Sequence, residues 1–443
     1  MNYDVVIVGA GPAGLFAAER LSKSNLKVAV VDERSIPGGA GAITDGKLIF
    51  HHEVSMDLKE LQIEQPKAYE LMEHVDKIFL KHGADENHSG KESEEAEELK
   101  KRAAKHRVRF ILSKTRHMGS DNTPLIIKRF KTELENQGIE FYMKTKVNHI
   151  LNNNNFEVNT NGETLEASKI LVAPGRGGAY WFREQAKKLG VENRYGPIDV
   201  GVRVELAAET FDPVTDISYD AKFHYDTHCH GDRVRTFCVN PRGFVTQEPG
   251  ENGIEHEGTI LRPVNGHAMK SVTTDNTNFA ILSTIHMTQP DSDSTMLGRR
   301  LIISTYSNGG GKPVAQRWGD LIRGSRSWPE TFNDSKRGYD RVKPTLKNFT
   351  PGDISLSYYG RFCNNIKEMI KVLDKIIPGV AHPSTILYAP EIKFYDTKYA
   401  TNQVLETNVP NLFVAGDGCG KSRGIVGAAV SGILAAEGIL KKQ

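Results

Sequence analysis

The chain has 443 residues, and its 57 Lys and Arg residues nearly balance its 55 Asp and Glu residues. A hydrophobic fraction of 38% and a charged fraction of 25% are ordinary for globular proteins, which excludes the disordered, collagen-like and coiled-coil classes. The formal net charge of +2 creates no field that would draw the whole protein to nucleic acid or to an anionic membrane. This length predicts roughly two or three domains with cores that need no disulfides.

The use of cysteine and the lack of long apolar runs indicate the cellular compartment in which the protein is located. The four cysteines are Cys229, Cys238, Cys363 and Cys419, and no two of them form a Cys-x-x-Cys pair, which favours a reducing compartment. No apolar run approaches the roughly 18–20 residues of a membrane helix, and the first strand pattern begins at Asp4. We therefore expect a soluble, cytoplasmic protein without a membrane partner.

A strand, a helix and a second strand are predicted at the start of the chain. The apolar run at 4–8 predicts a strand that is buried on both faces, and the alanine-rich stretch to about residue 26 predicts a helix. Residues 28–31 predict the next buried strand. Together these elements form one βαβ unit.

The loop between the first strand and the helix carries Gly9, Gly11 and Gly14 at the spacing G-x-G-x-x-G. Gly9 permits the tight turn, Gly11 lets the backbone approach a pyrophosphate, and Gly14 lets the helix pack closely on the strand. The helix N-terminus, at Pro12 and Ala13, then offers free N–H groups and the positive end of its dipole to the phosphates.

An acidic residue completes this fingerprint. Asp32 lies 18 residues beyond Gly14, at the carboxyl end of the second strand, and Glu33 follows it. There, a carboxylate can accept hydrogen bonds from the hydroxyls of an adenosine ribose. Strand, glycines, helix, strand and terminal acid in this register predict a dinucleotide site.

The remaining chain alternates between helical and strand patterns. Residues 53–106 are polar and helical, and their charges indicate a solvated helical face, with a basic patch for nucleic acid as the alternative. A helix is predicted at 123–136, a strand at 141–147 and a buried strand at 170–173. Many short alternating runs from residue 197 to about 390 predict a mostly antiparallel sheet with a few helices.

The C-terminal segment distinguishes FAD from NAD as the dinucleotide. Residues 409–418 (VPNLFVAGDG) resemble the second FAD signature of the glutathione-reductase-like flavoproteins, in which the aspartate, here Asp417, binds ribityl hydroxyls. Residues 424–429 (GIVGAA) follow as that superfamily's flavin-facing helix N-terminus does, where the helix dipole stabilises a negatively charged reduced flavin. The small residues Gly427 and Gly432 would let this helix pack tightly against its neighbours. Residues 171–175 (LVAPG) resemble the same superfamily's middle strand.

Further motifs narrow the resemblance to one group of this superfamily. Residues 38–48 (GGAGAITDGKL) resemble the Gly-Gly-Ala-Gly-x-x-Ser/Thr-Asp-Gly-Lys stretch of a poorly characterised family of bacterial and archaeal FAD-dependent dehydrogenases. Residues 117–121 resemble its His-x-Gly-Thr-Asp motif, and residues 237–243 resemble its Phe-Cys-x-x-Pro-x-Gly motif. Two departures are the sequence EIK at 391–393, where the family has glutamate–threonine–arginine, and GDGCG at 416–420, where it has Gly-Glu-Gly-Ala-Gly.

These signatures and the resemblance imply the fold and the residues that bind FAD non-covalently. The predicted fold is α/β, with a discontinuous Rossmann-like FAD-binding domain at 1–52, 107–196 and 391–443, a helical insertion at 53–106 and an inserted mixed α+β substrate domain at 197–390. The predicted FAD-binding residues are Gly9, Gly11, Pro12, Ala13, Gly14, Asp32, Glu33, Gly39, Ala40, Gly41, Lys47, Val147, Ala173, Pro174, Gly175, Gly416, Asp417, Gly424, Ile425 and Val426.

The catalytic candidates are Lys47, His117 and Asp45. Lys47 and Asp45 follow the glycine-rich stretch, where such folds bring side chains to the flavin's edge. A lysine there would stabilise the anionic reduced flavin or hold an acidic substrate. The alternative is an ion pair that only closes the loop. His117 lies at a turn and can act as a general acid or base near neutral pH, whereas Asp121 is expected to cap the next helix.

Two other groups of residues have structural interpretations. His228, Cys229 and His230, with Cys238, suggest a metal site, but zinc-like spacing of further ligands is absent from the sequence, so none is predicted. In a strand, the two histidines would share one face. Cys419 is expected to be a small buried thiol, and a covalent link to the flavin is the alternative.

The predicted function is that of an FAD-dependent oxidoreductase, a dehydrogenase or reductase, that acts on a small molecule by hydride or electron transfer through the flavin. Residues 175–330 contain no second glycine-rich βαβ fingerprint. Electrons would therefore come from the substrate or from NAD(P)H bound without a domain of its own. The alternatives are a flavin-dependent RNA-modifying enzyme, which the basic stretch 100–109 permits, and a non-catalytic flavin-binding regulator.

Overall fold

The computed structural model describes residues 1–42, 46–119, 121–248, 253–269, 271–287, 293–394 and 397–442. The chain folds into two compact units. Unit 1 contains Met1–His88, Arg116–Gly196 and Tyr395–Gln443, and unit 2 contains Ser89–Thr115 and Pro197–Phe394.

The described residues form the following strands and α-helices. The strands are β1 (Asn2–Val8), β2 (Val28–Asp32), β3 (Lys47–Phe50), β4 (Arg109–Ile111), β5 (Lys114–His117), β6 (Glu140–Met143), β7 (Val147–Asn153), β8 (Asn155–Thr160), β9 (Thr164–Val172), β10 (Asn193–Tyr195), β11 (Ile198–Ala207), β12 (Lys222–Asp226), β13 (Arg233–Asn240), β14 (Phe244–Gln247), β15 (Ile254–His256), β16 (Thr259–Leu261), β17 (Val264–His267), β18 (Asn276–Ile285), β19 (Val314–Arg317), β20 (Thr350–Pro351), β21 (Ile386–Phe394), β22 (Thr397–Tyr399) and β23 (Leu412–Val414). The α-helices are α1 (Pro12–Leu21), α2 (His52–Ser55), α3 (Leu58–Leu61), α4 (Gln65–Lys81), α5 (Glu94–Ala104), α6 (Thr123–Asn136), α7 (Ala179–Leu189), α8 (Ala208–Thr215), α9 (Ser294–Asn308), α10 (Trp318–Arg323), α11 (Gly360–Ile376) and α12 (Gly424–Leu440).

Unit 1 is built on a seven-stranded sheet in the order β6-β2-β1-β9-β8-β7, with β23 paired to β9. Strands β6, β2, β1, β9 and β23 are parallel, whereas β7 and β8 continue the sheet as an antiparallel meander. The apolar runs of the sequence form the parallel strands because helices cover both faces of such a sheet and bury every side chain. The predicted α/β, Rossmann-like fold class is confirmed.

Helices α1 and α12 approach each other more closely than side chains allow. A Cβ on Gly432 would lie 2.0 Å from the carbonyl oxygen of Ala13, and one on Gly427 would lie 1.7 Å from that of Ser55. The predicted role of these small residues in tight helix packing is confirmed. These contacts place the middle of α12 beside the start of α1 and the first turns of α12 beside α2.

The structure corrects the strand predicted at 141–147. Strand β6 ends at Met143, and β7 begins only at Val147. Between them, Lys144 adopts φ +57°, and its N–H donates to the carbonyl oxygen of Arg34 at 2.9 Å. A left-handed residue cannot continue a strand, so the chain turns there.

The helical stretch predicted at 53–106 is divided between the two units. Helix α4 buries Leu71, Val75 and Phe79 in a core of unit 1, whereas α5 buries Leu99 and Ala103 in a core of unit 2. Each helix has an apolar stripe, and the stripe determines which core it joins.

Unit 2 contains an eight-stranded sheet in the order β20-β19-β21-β11-β18-β13-β12-β4. All its pairings are antiparallel except β19 with β20. Strand β21 lies in unit 2 because it pairs with β11 and β19, although the last predicted FAD-binding segment begins at residue 391. No helix in the described part of the chain combines the length and hydrophobicity that crossing a membrane requires.

The sheet of unit 2 has one apolar face and one charged face. Along β11, Val200, Val202 and Val204 join the apolar core, while Arg203 and Glu205 point to the opposite face because strand side chains alternate. All five are completely buried.

The buried charges on this face are paired with oppositely charged or hydrogen-bonding side chains. Arg203 donates to both carboxylate oxygens of Glu391, with Nε–Oε2 at 3.0 Å and Nη2–Oε1 at 2.8 Å. Lys393 also contacts Glu391, at 3.1 Å. Glu205 accepts a hydrogen bond from the Tyr388 hydroxyl at 2.6 Å. Burial raises the pKa of Glu205.

Removing one partner of this pair should be costly, whereas an exposed pair of the same geometry should be dispensable. We expect Arg203→Met to lower the free energy of unfolding by about 3–5 kcal/mol, because it leaves a buried carboxylate without its main partner. Arg233 makes a similar two-bond contact with Asp226 on the same sheet, but their side chains are 55% and 61% exposed. Arg233→Met should therefore cost at most about 1 kcal/mol. Urea denaturation measures both values, and equal losses would contradict the assignment.

Candidate cofactor and active site

The loop after β1 crosses the end of the parallel sheet in a conformation that favours glycine. Gly9 has φ +108°, and its N–H donates to the carbonyl oxygen of Val31 at 2.8 Å. A Cβ on Gly9 would lie 2.2 Å from the carbonyl oxygen of Ala173, so a larger residue would displace the backbone after β9. The predicted tight turn is present.

Gly14 and Gly11 differ in what surrounds them. A Cβ on Gly14 would lie 1.9 Å from the carbonyl oxygen of Gly9, which brings α1 against the loop. No atom of the described residues lies within 4 Å of a Cβ placed on Gly11. Gly11 is also the N-cap of α1, and no side chain caps this helix start. Open space in front of uncapped N–H groups fits a pyrophosphate.

Asp32 connects the second strand to this loop. Its Oδ2 accepts the N–H of Ala10 at 2.7 Å, and its Oδ1 accepts the N–H of Arg34 at 2.8 Å. Burial raises the pKa of Asp32, and the two N–H donors oppose that rise. Glu33, the second predicted acid, is exposed. Because each carboxylate oxygen has a further lone pair, Asp32 can hold the loop and still accept from a ribose hydroxyl.

The glycine-rich stretch at 39–41 lies against the same loop. A Cβ on Gly41 would lie 3.0 Å from Cγ of Pro12 and 3.6 Å from Cγ1 of Ile425. Predicted FAD-binding residues from three separate parts of the sequence therefore meet at one place. A fourth, Val147, is buried at the start of β7.

The end of β9 passes beneath this loop. The N–H of Ala173 donates to the carbonyl oxygen of Val8 at 2.8 Å, which continues the pairing of β9 with β1 past the strand end. Beyond Pro174, a Cβ on Gly418 would lie 2.0 Å from the carbonyl oxygen of Gly175. The second FAD signature is thus in direct backbone contact with the middle-strand motif at 171–175.

Asp417 organises the start of the last helix. Its Oδ1 accepts from the Ser422 hydroxyl at 2.7 Å, and its Oδ2 accepts from the N–H of Gly424, the first residue of α12, at 3.2 Å. Burial raises the pKa of Asp417, and the charge of Arg176 opposes the rise. Residues 425–426, at the helix start, are buried. The aspartate, the uncapped helix start and the Gly416 turn form the second half of the candidate site.

The segments of two predicted catalytic residues are joined by a hydrogen bond. The N–H of Met118 donates to the carbonyl oxygen of Gly46 at 3.1 Å. Lys47, at the start of β3, is only 9% exposed, and His117, the last residue of β5, is partly buried. The structure therefore brings these segments together, although they lie far apart in the sequence. Asp45 lies outside the described residues.

Two expectations about neighbouring motifs are wrong. Asn122, not Asp121, is the N-cap of α6, and Asp121 instead accepts the N–H of Asn122 at 3.1 Å. Residues 228–230 form a turn rather than a strand, because Glu368 of α11 accepts the N–H of His228 at 2.6 Å and that of Cys229 at 3.2 Å. Among the residues that the structure describes, no three His, Cys, Asp or Glu side chains converge as metal ligands.

Sequence reasoning missed a charged residue at the end of the second signature. Lys421 is 2% exposed, although it follows Gly420 in a segment of otherwise small residues. A lysine directly after a glycine-rich cofactor signature was the available signal. Its neighbour Cys419 is completely buried, and its thiol contacts the carbonyl oxygen of Val172 at 3.5 Å.

Comparisons with known proteins agree with the N-terminal fingerprint. Residues 1–85 match the model of the Thi4 family. A thiamine thiazole synthase from Thermotoga maritima is 39% identical over 89 residues, which are 19% of this chain and 34% of the synthase. A Clostridium beijerinckii protein, described only as uncharacterized, is 25% identical over 99% of this chain and 80% of its own length. A solved structure of glycine oxidase from Geobacillus kaustophilus has 14% identity and a TM-score of 0.44, with 100% of this chain and 95% of that chain covered.

The family match covers the N-terminal βαβ unit with its glycine fingerprint, and it ends at residue 85. For the chain as a whole, the flavoprotein class and the FAD cofactor stay predictions. The residues present fit this cofactor, because the space at Gly11 and the carboxylates of Asp32 and Asp417 lie where the fingerprint requires them. The individual contacts to FAD stay predictions.

Two glycine variants separate binding of the cofactor from folding. Gly11→Ala has room in the free protein, so we expect the thermal midpoint of the FAD-free protein to stay unchanged while FAD binding weakens about tenfold or more. Gly14→Ala places a Cβ 1.9 Å from a carbonyl oxygen, so its thermal midpoint should fall. Calorimetry and FAD titration measure the two effects. Wild-type FAD affinity in Gly11→Ala would mean that the loop does not bind the pyrophosphate.

A pair of aspartates on the first two strands tests the ribose contact. Asp32→Ala should weaken FAD binding by about 1–3 kcal/mol, because it removes a charged acceptor and loosens the glycine loop. Asp4 is the matched control, since its Oδ2 accepts the N–H of Lys27 at 2.7 Å at the opposite end of the strands. Asp4→Ala should leave FAD affinity unchanged. Fluorescence-quenching titrations compare them, and equal effects would rule out a local role for Asp32.

Proposed function

We propose that this protein is a cytoplasmic FAD-dependent oxidoreductase, a dehydrogenase or reductase, that transfers hydride or electrons between its flavin and a small organic molecule. The observation that carries the proposal is the convergence at one edge of the unit 1 sheet. There the open space at Gly11, the carboxylate of Asp32 and the helix start held by Asp417 come together. Ligands of open α/β sheets bind at this carboxyl edge of the strands.

FAD, when bound, supplies the two-electron chemistry that the side chains lack. In the proposal, the free N–H groups at the start of α1 hold the pyrophosphate, and Asp32 accepts from the ribose hydroxyls. Asp417 accepts from the ribityl hydroxyls and also keeps the first turn of α12 in place through Gly424. The role of these residues in the proposal is to bind FAD and to orient it.

Lys47 and His117 are the proposed catalytic residues. Lys47 is a buried residue, where a fixed cation acts more strongly than in water, and its ammonium would favour negative charge on a reduced cofactor or substrate. His117 would hold or move the substrate proton near neutral pH. The hydrogen bond between Met118 and Gly46 keeps the two segments together and supports a joint role.

Unit 2 is the proposed substrate domain. Opposite its apolar face, its sheet carries a face of charged and hydrogen-bonding side chains, on which Arg203, Glu205 and Glu391 are buried among partners. A rigid set of polar groups of this kind is suited to recognising a small polar substrate. The electrons would come from that substrate or from transiently bound NAD(P)H.

The proposal is tested first on the purified protein. It should be yellow, denaturation should release FAD rather than FMN, and anaerobic screening of small metabolites should find compounds that bleach or restore the flavin absorbance. A colourless protein that cannot be reconstituted with FAD would refute the cofactor assignment. A flavin that dithionite reduces but no metabolite does would favour the non-catalytic regulator.

The catalytic assignments are tested separately. Lys47→Met should lower the flavin's reduction potential while FAD stays bound, because the cation that favours the anionic reduced form is lost. His117→Gln should slow reduction by the substrate found in the screen by about 10²–10⁴-fold, the usual share of general acid–base catalysis. Reduction by dithionite should not change, since it needs no proton transfer from the protein.

Matched controls are available in the same unit. His149 of β7 and Lys188 of α7 are not buried, so His149→Gln and Lys188→Met should leave rate and potential at wild-type values. Redox titration follows the lysine variants, and stopped-flow absorbance follows the histidine variants. An unchanged potential in Lys47→Met together with an unchanged rate in His117→Gln would reduce both residues to supports of their loops.

A further inference from the structure

Lys421 is a buried cation with no hydrogen-bonded or ion-paired counter-ion among the residues that the structure describes. Only 2% of it is exposed, and its ammonium makes no hydrogen bond and no ion pair to any described residue. Its place in the chain is fixed, because its N–H donates to the carbonyl oxygen of Gly416 at 3.2 Å. The side chain therefore emerges from a rigid turn at the end of the second FAD signature.

The turn that carries Lys421 packs against a cluster of charges on β22 and β10, since a Cβ on Gly420 would lie 2.8 Å from Cγ of Lys398. Lys398 Nζ lies 2.8 Å from Oε1 of Glu60, and Arg194 donates to the same oxygen. Lys398 also lies 3.8 Å from a carboxylate oxygen of Asp57, whose side chain is 52% exposed. Among the described residues, three cations thus share one largely buried carboxylate, and the second carboxylate in this cluster, that of Asp57, is half in solvent.

Glu60 already accepts hydrogen bonds from Lys398 and Arg194. Burial raises its pKa, but the hydrogen bond from Lys398 and the charges of Arg194 and Lys421 hold that pKa below its usual value. The same carboxylate cannot neutralise three cations. An ammonium buried without compensation costs several kcal/mol, so a charge balance of this kind calls for a further anion.

Lys421 itself shows the effect of this imbalance. Burial lowers its pKa, and the charges of Lys398 and Arg194 lower it further, while Glu60 opposes them. Access to the cluster is possible from the Arg194 side, because the Arg194 side chain is 66% exposed and that of Lys398 is 18% exposed.

We propose that Lys421, Lys398 and Arg194 form a binding site for a small oxyanion, either phosphate or the carboxylate of a metabolite. The anion would take the place of the missing counter-ion at Lys421, with Lys398 and Arg194 bridging it to Glu60. The site is separate from the groups assigned to FAD, because its cations lie on β10, β22 and the turn after Asp417 and not on the glycine loop.

The experiment uses the FAD-loaded protein. Inorganic phosphate and, in a separate arm, acetate are titrated calorimetrically in a buffer free of other oxyanions. We expect at least one of them to bind and to raise the thermal midpoint. Lys421→Met, which keeps the length of the side chain without its charge, should weaken that binding by about tenfold or more, as loss of a buried charged contact does. The arm that binds identifies the source of the oxyanion.

The matched control and a second readout keep folding apart from binding. Lys188→Met removes a lysine of the same unit that is not buried, and it should bind the anion as the wild type does. In the absence of anion, Lys421→Met should be at least as stable as the wild type, because an uncompensated charge is removed. When phosphate or acetate is added, the thermal midpoint of Lys421→Met should no longer respond.

Three results would overturn the proposal. The first is that neither phosphate nor acetate binds to the FAD-loaded wild type. The second is that Lys421→Met binds the anion with wild-type affinity. The third is that Lys421→Met loses FAD instead, which would make the cofactor's own phosphates the counter-ion.

Discussion

Unit 1 depends on backbone segments that touch where no side chain can fit. Gly14 packs on the carbonyl of Gly9, Gly418 packs on that of Gly175, and Gly432 packs on that of Ala13. Each contact is shorter than a Cβ would permit, so three separate parts of the chain are drawn into one edge of the sheet. The same compactness leaves the N–H groups at the start of α1 facing open space, which is the condition for binding phosphate there.

Ionised side chains play a different part in each unit. In unit 2, Arg203, Glu391 and Lys393 are buried together and form a network in which each charge has a partner. Such a network adds little net stability compared with an apolar core, but it makes misplacement of any member costly and so specifies one arrangement. In unit 1, Lys47 at the start of β3 and Lys421 in the turn after Asp417 are both buried lysines. Positive charge held away from water suits a protein that handles anions.

The recognisable motifs were local, which is why the sequence was informative about them. Gly9, Gly11 and Gly14 lie within six residues, and Asp32 follows after one helix, so their geometry depends only on a short βαβ unit. The prediction that proved wrong at 228–230 depended instead on a contact between residues that are far apart in the sequence. Residues 228–230 are patterned like a strand, yet Glu368, more than a hundred residues away in sequence, holds them in a turn by accepting their N–H groups.

The sequence by itself determined the parallel strands and the glycine loop, because apolar runs and tight turns are encoded by neighbouring residues. The ribose-binding acid and the class of cofactor are predictions from the same local motifs. Only the tertiary structure decided which distant groups meet. It joined Gly46 to Met118, divided the helical stretch after β3 between two cores, and surrounded Lys421 with further cations. The physical reason is that charge compensation and backbone contact depend on separation in space, and one sequence read along its length contains no distances between remote residues.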